Sequence, residues 1–164
     1  MPRIDDAISP PAMSVLDRLM AGDESEPRSY RAGLSGLRRS VLRDLEWLLN
    51  ARVGSGPGAW STLSKDRSPG GDLLCFGLPD LTLVDLRNAR KREDLRRWIS
   101  EAVARFEPRL EHVNVTVKGS DESKGSTRFQ VEGYLRVDPE PIEFPFEATV
   151  QWSDRAVHVQ GSKS

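Results

Sequence analysis

The clearest hydrophobic pattern in the chain runs from Asn88 to Val117. In its first part apolar residues recur every three or four positions, which is the spacing of one face of an α-helix. Pro108 has no N–H and cannot continue a helix, so we predict that the helix ends near Phe106 or Glu107. From Leu110 the period changes to two, which predicts a strand that follows the helix directly. The predicted buried positions are Leu95, Trp98, Ile99, Ala102, Val103 and Phe106 in the helix and Val113, Val115 and Val117 in the strand.

A second apolar stripe predicts an earlier helix from Leu34 to Arg52, ended by the glycines that follow it. The stripe consists of Leu34, Leu37, Val41, Leu45, Leu48 and Leu49. The segment from Val53 to Asp72 is rich in Gly, Ser and Pro and has no period, so it predicts a long loop. Gly77-Leu78-Pro79-Asp80 predicts a turn before the central helix.

Alternating residues in the last third of the chain predict strands. Pro145 cannot donate a ladder hydrogen bond, so we expect it to face solvent or a bulge. The predicted fold is α+β, with two main helices packed on a small, mainly antiparallel β-sheet in two layers. The predicted elements are Val113–Lys118, a polar loop Gly119–Thr127, then strands Phe129–Val137, Ile142–Trp152 and Ala156–Gln160.

The 164 residues are enough for one domain with an added tail. We divide them into an N-terminal docking extension (1–31), an α+β domain (32–160) and a short tail (161–164). Within the extension, Met13 to Met20 is a short amphipathic run that cannot form a stable helix alone in water. It either packs on its own domain or docks on another subunit, and the sequence leaves both open.

The charge and cysteine content of the chain argue against several classes of function. The 24 basic and 25 acidic residues give a net charge of −1, which argues against a general nucleic-acid-binding surface. Six basic residues cluster between Arg87 and Arg97, either as a docking face for an acidic partner or, more simply, as a solvated helix face. A single cysteine, Cys75, excludes an intramolecular disulfide and fits a reducing compartment. The chain has no metal-ligand cluster, cofactor motif, signal peptide pattern or membrane-length apolar run, so we expect a cytoplasmic protein without cofactor or membrane insertion.

Glu107-Pro108-Arg109, at the joint between the central helix and its strand, is the main candidate for a functional motif. In one interpretation it is an ordinary helix end whose charges face water. In the other, the proline fixes the backbone so that a carboxylate and a guanidinium project from one rigid corner and bind their own chain or a neighbour. The same triplet at Glu26-Pro27-Arg28 has no helix before it and no strand after it, and we interpret it as linker.

Four segments resemble the contractile-tail baseplate wedge family, whose members include the type VI secretion subunit TssE and phage proteins once labelled lysozyme-like. The resemblance extends from about Val15 to Trp152, and the N-terminal segment favours the secretion-system branch. Phe76, where the family usually has Tyr, and the loop Gly54–Gly71 depart from the family pattern. The similar segments are Ser14–Leu19, Ser40–Arg52, Phe76–Leu81 and Phe106–Leu110.

This resemblance implies a structural role rather than catalysis. Family members join the wedge subunits TssF and TssG, lie near TssK, and accept the TssB/TssC sheath by β-strand addition to their sheet. A sheet with an open edge fits this mode, because its unpaired N–H and C=O groups can pair with another strand. The partner-binding residues implied are Leu16, Asp17, Arg18, Leu19, Gly77, Leu78, Pro79, Asp80, Glu107, Pro108 and Arg109.

Two other functions compete with a structural role. A peptidoglycan hydrolase, as the old family label implies, would use Glu107 as general acid and needs a second carboxylate across a cleft. The adjacent Arg109 favours the ionised carboxylate, and a cytoplasmic protein does not meet the cell wall. A nucleic-acid-binding adaptor using Arg87–Arg97 is disfavoured by the net charge and by the lack of interleaved aromatic residues.

Overall fold

A computed structural model describes residues 30–53, 76–82 and 84–162. The amphipathic run Met13–Met20, the triplet Glu26-Pro27-Arg28 and nearly all of the predicted loop 53–72 lie outside the described residues. In the described part, two helices and a five-stranded antiparallel sheet form an α+β fold, as predicted.

The two helices are α1, Tyr30–Asn50, and α2, Ala89–Phe106. Helix α2 begins and ends where the sequence predicts, with the Asn88 side chain accepting a hydrogen bond from the Arg90 N–H at 2.9 Å. Helix α1 begins four residues before the predicted Leu34 and ends two residues before the predicted Arg52, which lies in a short strand instead. Beyond its end, the Arg52 guanidinium donates to the Leu49 carbonyl at 2.7 Å and to the Arg155 carbonyl at 2.6 Å, and so satisfies a carbonyl that the helix leaves unpaired.

The strands of the main sheet are β3 Leu110–Asp121, β4 Ser126–Leu135, β5 Ile142–Glu143, β6 Phe146–Gln151 and β7 Val157–Gly161. Their order is β3-β4-β6-β7, with β5 paired to β4, and every pairing is antiparallel. Helix α2 packs against β3 and helix α1 against β7, so both helices cover one face of the sheet. Leu45, Ile99, Phe129 and Phe146 are fully buried between the two layers.

The prediction that Gly77–Asp80 is only a turn is wrong. Strand β2, Leu78–Pro79, pairs in parallel with strand β1, Arg52–Val53. The Leu78 N–H donates to the Ala51 carbonyl at 2.9 Å, and Gly77 makes this approach possible. Its φ is +118°, and a Cβ there would lie 2.4 Å from the Ala51 oxygen, so a larger residue cannot fit without backbone movement.

The predicted polar loop Gly119–Thr127 is also wrong in extent, because β3 continues to Asp121 and β4 starts at Ser126. These polar residues occupy strand positions because their side chains find partners. The fully buried Thr127 hydroxyl accepts a hydrogen bond from Trp152 Nε1 at 2.9 Å. The Asp121 carboxylate accepts from the Ser123 hydroxyl at 2.6 Å and closes the hairpin.

The predicted single strand Ile142–Trp152 is divided into β5 and β6, with Phe144 and Pro145 between them. This interruption agrees with the expectation that Pro145 cannot take a regular ladder position. The last strand begins and ends one residue later than predicted. Ala156 belongs to the preceding turn, where its carbonyl accepts a hydrogen bond from the Gln151 N–H.

Candidate functional site

The joint between α2 and β3 is a tight corner made by three residues. The Glu107 N–H donates to the Val103 carbonyl at 3.0 Å and closes α2, and the Glu107 carbonyl accepts from the Leu110 N–H at 3.0 Å. Pro108 lies between these two bonds and donates to neither. The Arg109 carbonyl accepts from the Arg136 N–H at 2.8 Å, which fixes the corner to the chain just beyond β4.

The Glu107 side chain is buried at this corner, with the residue only 3% exposed. Its carboxylate accepts hydrogen bonds from the Arg109 backbone N–H at 3.2 Å and from Arg109 Nε at 2.6 Å. The second carboxylate oxygen accepts from Arg109 Nη2 at 2.5 Å. A buried carboxylate held by a guanidinium in this two-pronged way is both compensated in charge and fixed in direction.

Arg109 also reaches across to helix α1. Its Nη2 donates to the Asp44 carboxylate at 2.7 Å, and its Nη1 lies 3.4 Å from the Ser40 hydroxyl. Arg43 donates to the other oxygen of Asp44 at 3.1 Å. Bonding to Glu107 raises the pKa of Arg109 above its ordinary value against the opposing effect of burial, and the bond to Asp44 raises it further, so Arg109 stays charged.

These contacts show that the motif binds within its own chain. Glu107 and Arg109 bind each other, and Arg109 also binds helix α1. The network therefore ties the C-terminal half of α1 to the α2–β3 joint. In this way one ion-paired cluster fixes the relative position of the two helices.

An open groove lies beside the corner, with a volume of about 500 Å³. Phe76 and Phe106 meet edge to face at its wall, with ring centroids 5.3 Å apart. We call this surface the aromatic groove. It is lined by Asp44, Trp47, Leu48, Phe76, Phe106, Glu107, Pro108 and Arg109.

The other predicted site residues are placed differently. Leu78 and Pro79 are buried in the short parallel pair, so their side chains support the fold. Asp80 is exposed, and its carboxylate accepts from the Thr82 hydroxyl and the Thr82 N–H, which lowers the pKa of Asp80 below its usual range. Within the segment Phe76–Asp80, the residue that lines the aromatic groove is Phe76. The predicted binding segment Leu16, Asp17, Arg18 and Leu19 lies outside the described residues.

Sequence reasoning missed three residues of the site. The apolar stripe of α1 does not single out Asp44 or Trp47, and Phe76 stands out only as a departure from the family pattern. The available signal was the segment Ser40–Arg52, which resembles the family and contains both Asp44 and Trp47. Its helical spacing does not reveal that Arg109, 65 positions later, is the partner of Asp44.

The basic stretch Arg87–Arg97 makes mostly internal contacts. Arg96 pairs with Glu93 at 2.7 Å, and Arg97 pairs with Asp94. Arg92 donates to the carbonyls of Leu86 and Arg87 near the start of α2. These contacts favour the simpler of the two interpretations, a solvated helix face.

A comparison with protein-family models gives one match, described as baseplate wedge protein gp25, over residues 35–140. The match includes Asp44, the aromatic groove and the whole corner. The chain belongs to the gp25 family of baseplate wedge proteins. Membership confirms the family resemblance and assigns the chain a structural role in a baseplate.

No match of significance was found among the curated proteins or the solved structures. Within residues 30–53, 76–82 and 84–162 of this gp25-family chain, no group of three or more potential ligand residues is placed to hold a metal ion. None of the helices in that part of the chain has the length and apolar character needed to cross a membrane.

Proposed function

We propose that the chain is the wedge subunit of a type VI secretion baseplate, the role filled by TssE. In this role it joins TssF and TssG near TssK, at the cytoplasmic side of the inner membrane, and anchors the TssB/TssC sheath. The observation that carries the proposal is membership of the gp25 family over residues 35–140. The similarity of Leu16–Leu19 to the N-terminal segment of the secretion branch favours that machine over a phage tail.

We assign residues 1–31 to docking and 32–160 to the wedge domain. The corner Glu107-Pro108-Arg109 supports the wedge role by holding α1, α2 and β3 in one rigid arrangement. A rigid subunit loses less conformational entropy when it joins an assembly. Among the residues implied by family resemblance, the candidates for direct contact are Leu16–Leu19, the exposed Asp80 and Pro108, and the partly exposed Arg109.

Strand addition needs an open sheet edge, and the β7 edge is partly closed. The Asn50 side chain donates to the Val157 carbonyl at 2.7 Å and accepts from the Val157 N–H at 2.9 Å. One amide therefore satisfies both backbone groups that a neighbouring strand would use at this residue. Arg52 covers the Arg155 carbonyl on the same side.

The β3 edge is the better acceptor for a sheath strand. Residues Asn114 to Val117 pair regularly with β4, between two irregularities in the register. The Val115 carbonyl points away from β4 toward Arg96 Nη1, which lies 3.3 Å from it. A sheath strand would replace this one long contact, whereas at Val157 it would have to displace two shorter bonds from Asn50. Alternation along the strand makes the Val117 backbone groups point outward as well. We propose that a sheath strand adds here.

The hydrolase alternative is not favoured by the geometry of Glu107. Its carboxylate is 3% exposed and already accepts three hydrogen bonds from Arg109. A general acid must reach the oxygen of the bond that it cleaves, and a carboxylate held in this way does not.

The proposal is tested by co-purification of the full chain with co-expressed TssF and TssG of the same bacterium. We expect the three proteins to elute as one complex, and separate elution would contradict the proposal. A turbidity assay on purified cell wall tests the alternative in parallel. Clearing by the wild-type chain that is lost in Glu107→Gln would support a hydrolase.

A further inference from the structure

The face of the main sheet that turns away from the helices carries acidic side chains around one exposed aromatic ring. Phe129, Val131 and Leu135 of β4 are fully buried in the core beneath the helices, so the residues that alternate with them point to the opposite side. Tyr134 is 41% exposed there, and Glu143 of β5 pairs directly opposite it. We call this surface the outer patch. It consists of Gln130, Glu132, Tyr134, Glu143 and Glu147.

The carboxylates of the outer patch lack a cation. In the ranges 30–53, 76–82 and 84–162, Glu132 and Glu143 are exposed and their side chains form no ion pair. Glu147 accepts two long hydrogen bonds from neutral groups, the Thr149 hydroxyl at 3.4 Å and the Gln160 amide at 3.5 Å. The patch therefore presents negative charge that a basic partner would neutralise.

The arginines around the patch leave its carboxylates free. Arg136 Nε pairs with Glu111 at 3.0 Å. Arg38 donates to the backbone carbonyl of Glu143 at 3.2 Å, not to its carboxylate. Arg128 lies on the same face toward the start of β4, at the end of the patch away from the aromatic ring.

A buried polar side chain points to the same side of the sheet. Gln130 is 8% exposed and lies between Thr116 on β3 and Glu147 on β6. Among the described residues, its side-chain amide has no hydrogen-bond partner. A buried amide without a partner destabilises a protein, and a peptide group satisfies both its donor and its acceptor. Asn50 forms this kind of pairing with the N–H and C=O of Val157, so Gln130 points to a polypeptide backbone as its ligand.

The aromatic ring and the carboxylates together favour arginine over lysine as the cation. A guanidinium is planar, so it stacks on an aromatic ring while its N–H groups donate to carboxylates at the edge of that ring. Residues directly opposite each other in a ladder have Cβ atoms about 5 Å apart, so Glu143 reaches a guanidinium that lies on Tyr134. Glu132 is two residues away along β4, about 7 Å, and approaches the ring from another side.

A β-bulge in β3 completes the surroundings of the ring. The register between β3 and β4 shifts between Glu111 and Asn114, and His112 within this shift has φ of +52°. A bulge of this kind re-aims a side chain. The His112 ring meets the Tyr134 ring edge to face, with centroids 6.3 Å apart and an interplanar angle of 83°. This contact restricts the Tyr134 ring and so lowers the entropy lost on binding.

We propose that the outer patch binds an arginine-bearing segment of a second protein. The guanidinium lies on the Tyr134 ring and donates to Glu132 or Glu143, and the backbone of the segment bonds to Gln130. This surface is separate from the β3 edge and from the aromatic groove. The inference therefore goes beyond the proposed function and does not depend on it.

The test is an NMR titration of the ¹⁵N-labelled full-length chain with the capped peptide Gly-Arg-Gly-Arg-Gly and with its lysine counterpart. We expect the arginine peptide to shift the amide signals of β4, β5 and β6 around the patch. It should bind at least about threefold more tightly than the lysine peptide, because only a guanidinium stacks and pairs at once. Equal affinity for the two peptides, or the largest shifts elsewhere in the chain, would overturn the inference.

Paired substitutions separate the patch from general charge attraction. The double variant Glu132→Gln, Glu143→Gln should weaken binding of the arginine peptide by about fivefold or more. The matched control is Glu101→Gln, Glu122→Gln, which makes the same change in net charge at exposed positions outside the patch and should alter affinity by less than about twofold. An equal loss in both double variants would contradict a local site.

Gln130→Leu separates binding from folding. We expect its free energy of unfolding to be unchanged or higher than that of wild type, because the variant removes a buried amide that has no partner in the described chain. Its affinity for the arginine peptide should fall by about threefold. Wild-type affinity in this variant would overturn the role of Gln130.

Photo-crosslinking in cells locates the natural partner. With p-benzoylphenylalanine at position 134, which keeps an aromatic ring there, we expect crosslinks to one protein segment that contains arginine. Crosslinks only to segments without arginine would overturn the inference. Sheath counts in the same cells report on the proposed function separately, so a failure of one proposal is distinguished from a failure of the other.

Discussion

The Glu107 carboxylate accepts three hydrogen bonds from Arg109, one from the backbone N–H and two from the guanidinium, with a single proline between the two residues. The same guanidinium bonds to Asp44 on helix α1. The motif is thus an internal clamp on the corner from helix to strand. Under the proposed function, we expect the clamp to contribute to assembly by fixing the shape that partners meet.

Removal of the cation from this clamp should lower stability sharply. In Arg109→Ala the Glu107 carboxylate stays buried without compensation, so we expect the free energy of unfolding to fall by about 3 kcal/mol. The measurement is equilibrium unfolding in urea, compared with wild type at neutral pH.

The control for this clamp is Asp44→Asn, which preserves the Glu107–Arg109 pair and loses only the charge on α1. We expect it to cost about 1 kcal/mol. If Asp44→Asn cost as much as Arg109→Ala, the buried carboxylate would not be the reason for the effect.

Gly77→Ala should disrupt the approach of β2 to the end of α1. Gly77 has φ of +118°, and an added Cβ would meet the Ala51 carbonyl oxygen at 2.4 Å. We expect the free energy of unfolding in urea to fall by about 2 kcal/mol or more, because the strained backbone and the steric clash both destabilise the folded state. The matched control is Gly36→Ala within α1, where a Cβ would meet no atom within 4 Å. Gly36→Ala should raise the free energy of unfolding by about 0.5–1 kcal/mol. A similar loss of stability in both variants would contradict the steric explanation for Gly77.

The choice of the β3 edge predicts different effects of proline on the two edges of the sheet. Val117→Pro removes an outward N–H from β3 and leaves the ladder with β4 intact, so it should block sheath addition but not folding. Val159→Pro removes an outward N–H from β7, two residues from the capped Val157, and should leave sheath addition unchanged. Counting fluorescent sheaths in cells that express each variant compares the two. The opposite pattern would place the sheath on β7.

The Asp121 turn should make folding stability sensitive to acid. The Ser123 hydroxyl and the Lys124 N–H bond to the Asp121 carboxylate and lower the pKa of Asp121 in the folded chain. A lowered folded pKa stabilises the protein above the unfolded value of about pH 4, and the gain is lost as pH falls through the folded pKa. We therefore expect Asp121→Asn to lose less stability than wild type between neutral pH and pH of about 3. If wild type and Asp121→Asn lost the same free energy of unfolding between neutral pH and pH of about 3, the prediction would be wrong.

The sequence predicts the helices well because each one buries a stripe with a clear period. Helix α2 is bounded by Asn88, whose side chain caps its start, and Pro108, which prevents its continuation, and both signals are local. The strands are less well predicted where polar residues take buried positions. Thr127 looks like a loop residue until its hydrogen bond with Trp152 is known.

The candidate site was only partly predictable, for a related reason. Glu107 and Arg109 stand out because proline and opposite charges are adjacent in sequence. Their third partner, Asp44, belongs to another helix, and the aromatic groove joins Trp47 to Phe76 and Phe106 across three separate segments. Such contacts depend on how the helices pack against each other, which local patterns do not specify.

The proposal that this chain is a baseplate subunit on which a sheath is built can be tested in living cells. The measurement counts fluorescent TssB-labelled sheaths in a strain that lacks the gene and in the same strain with the gene restored. We expect no extended sheaths in the first strain and normal numbers in the second. Normal sheath numbers without the protein would contradict the claim.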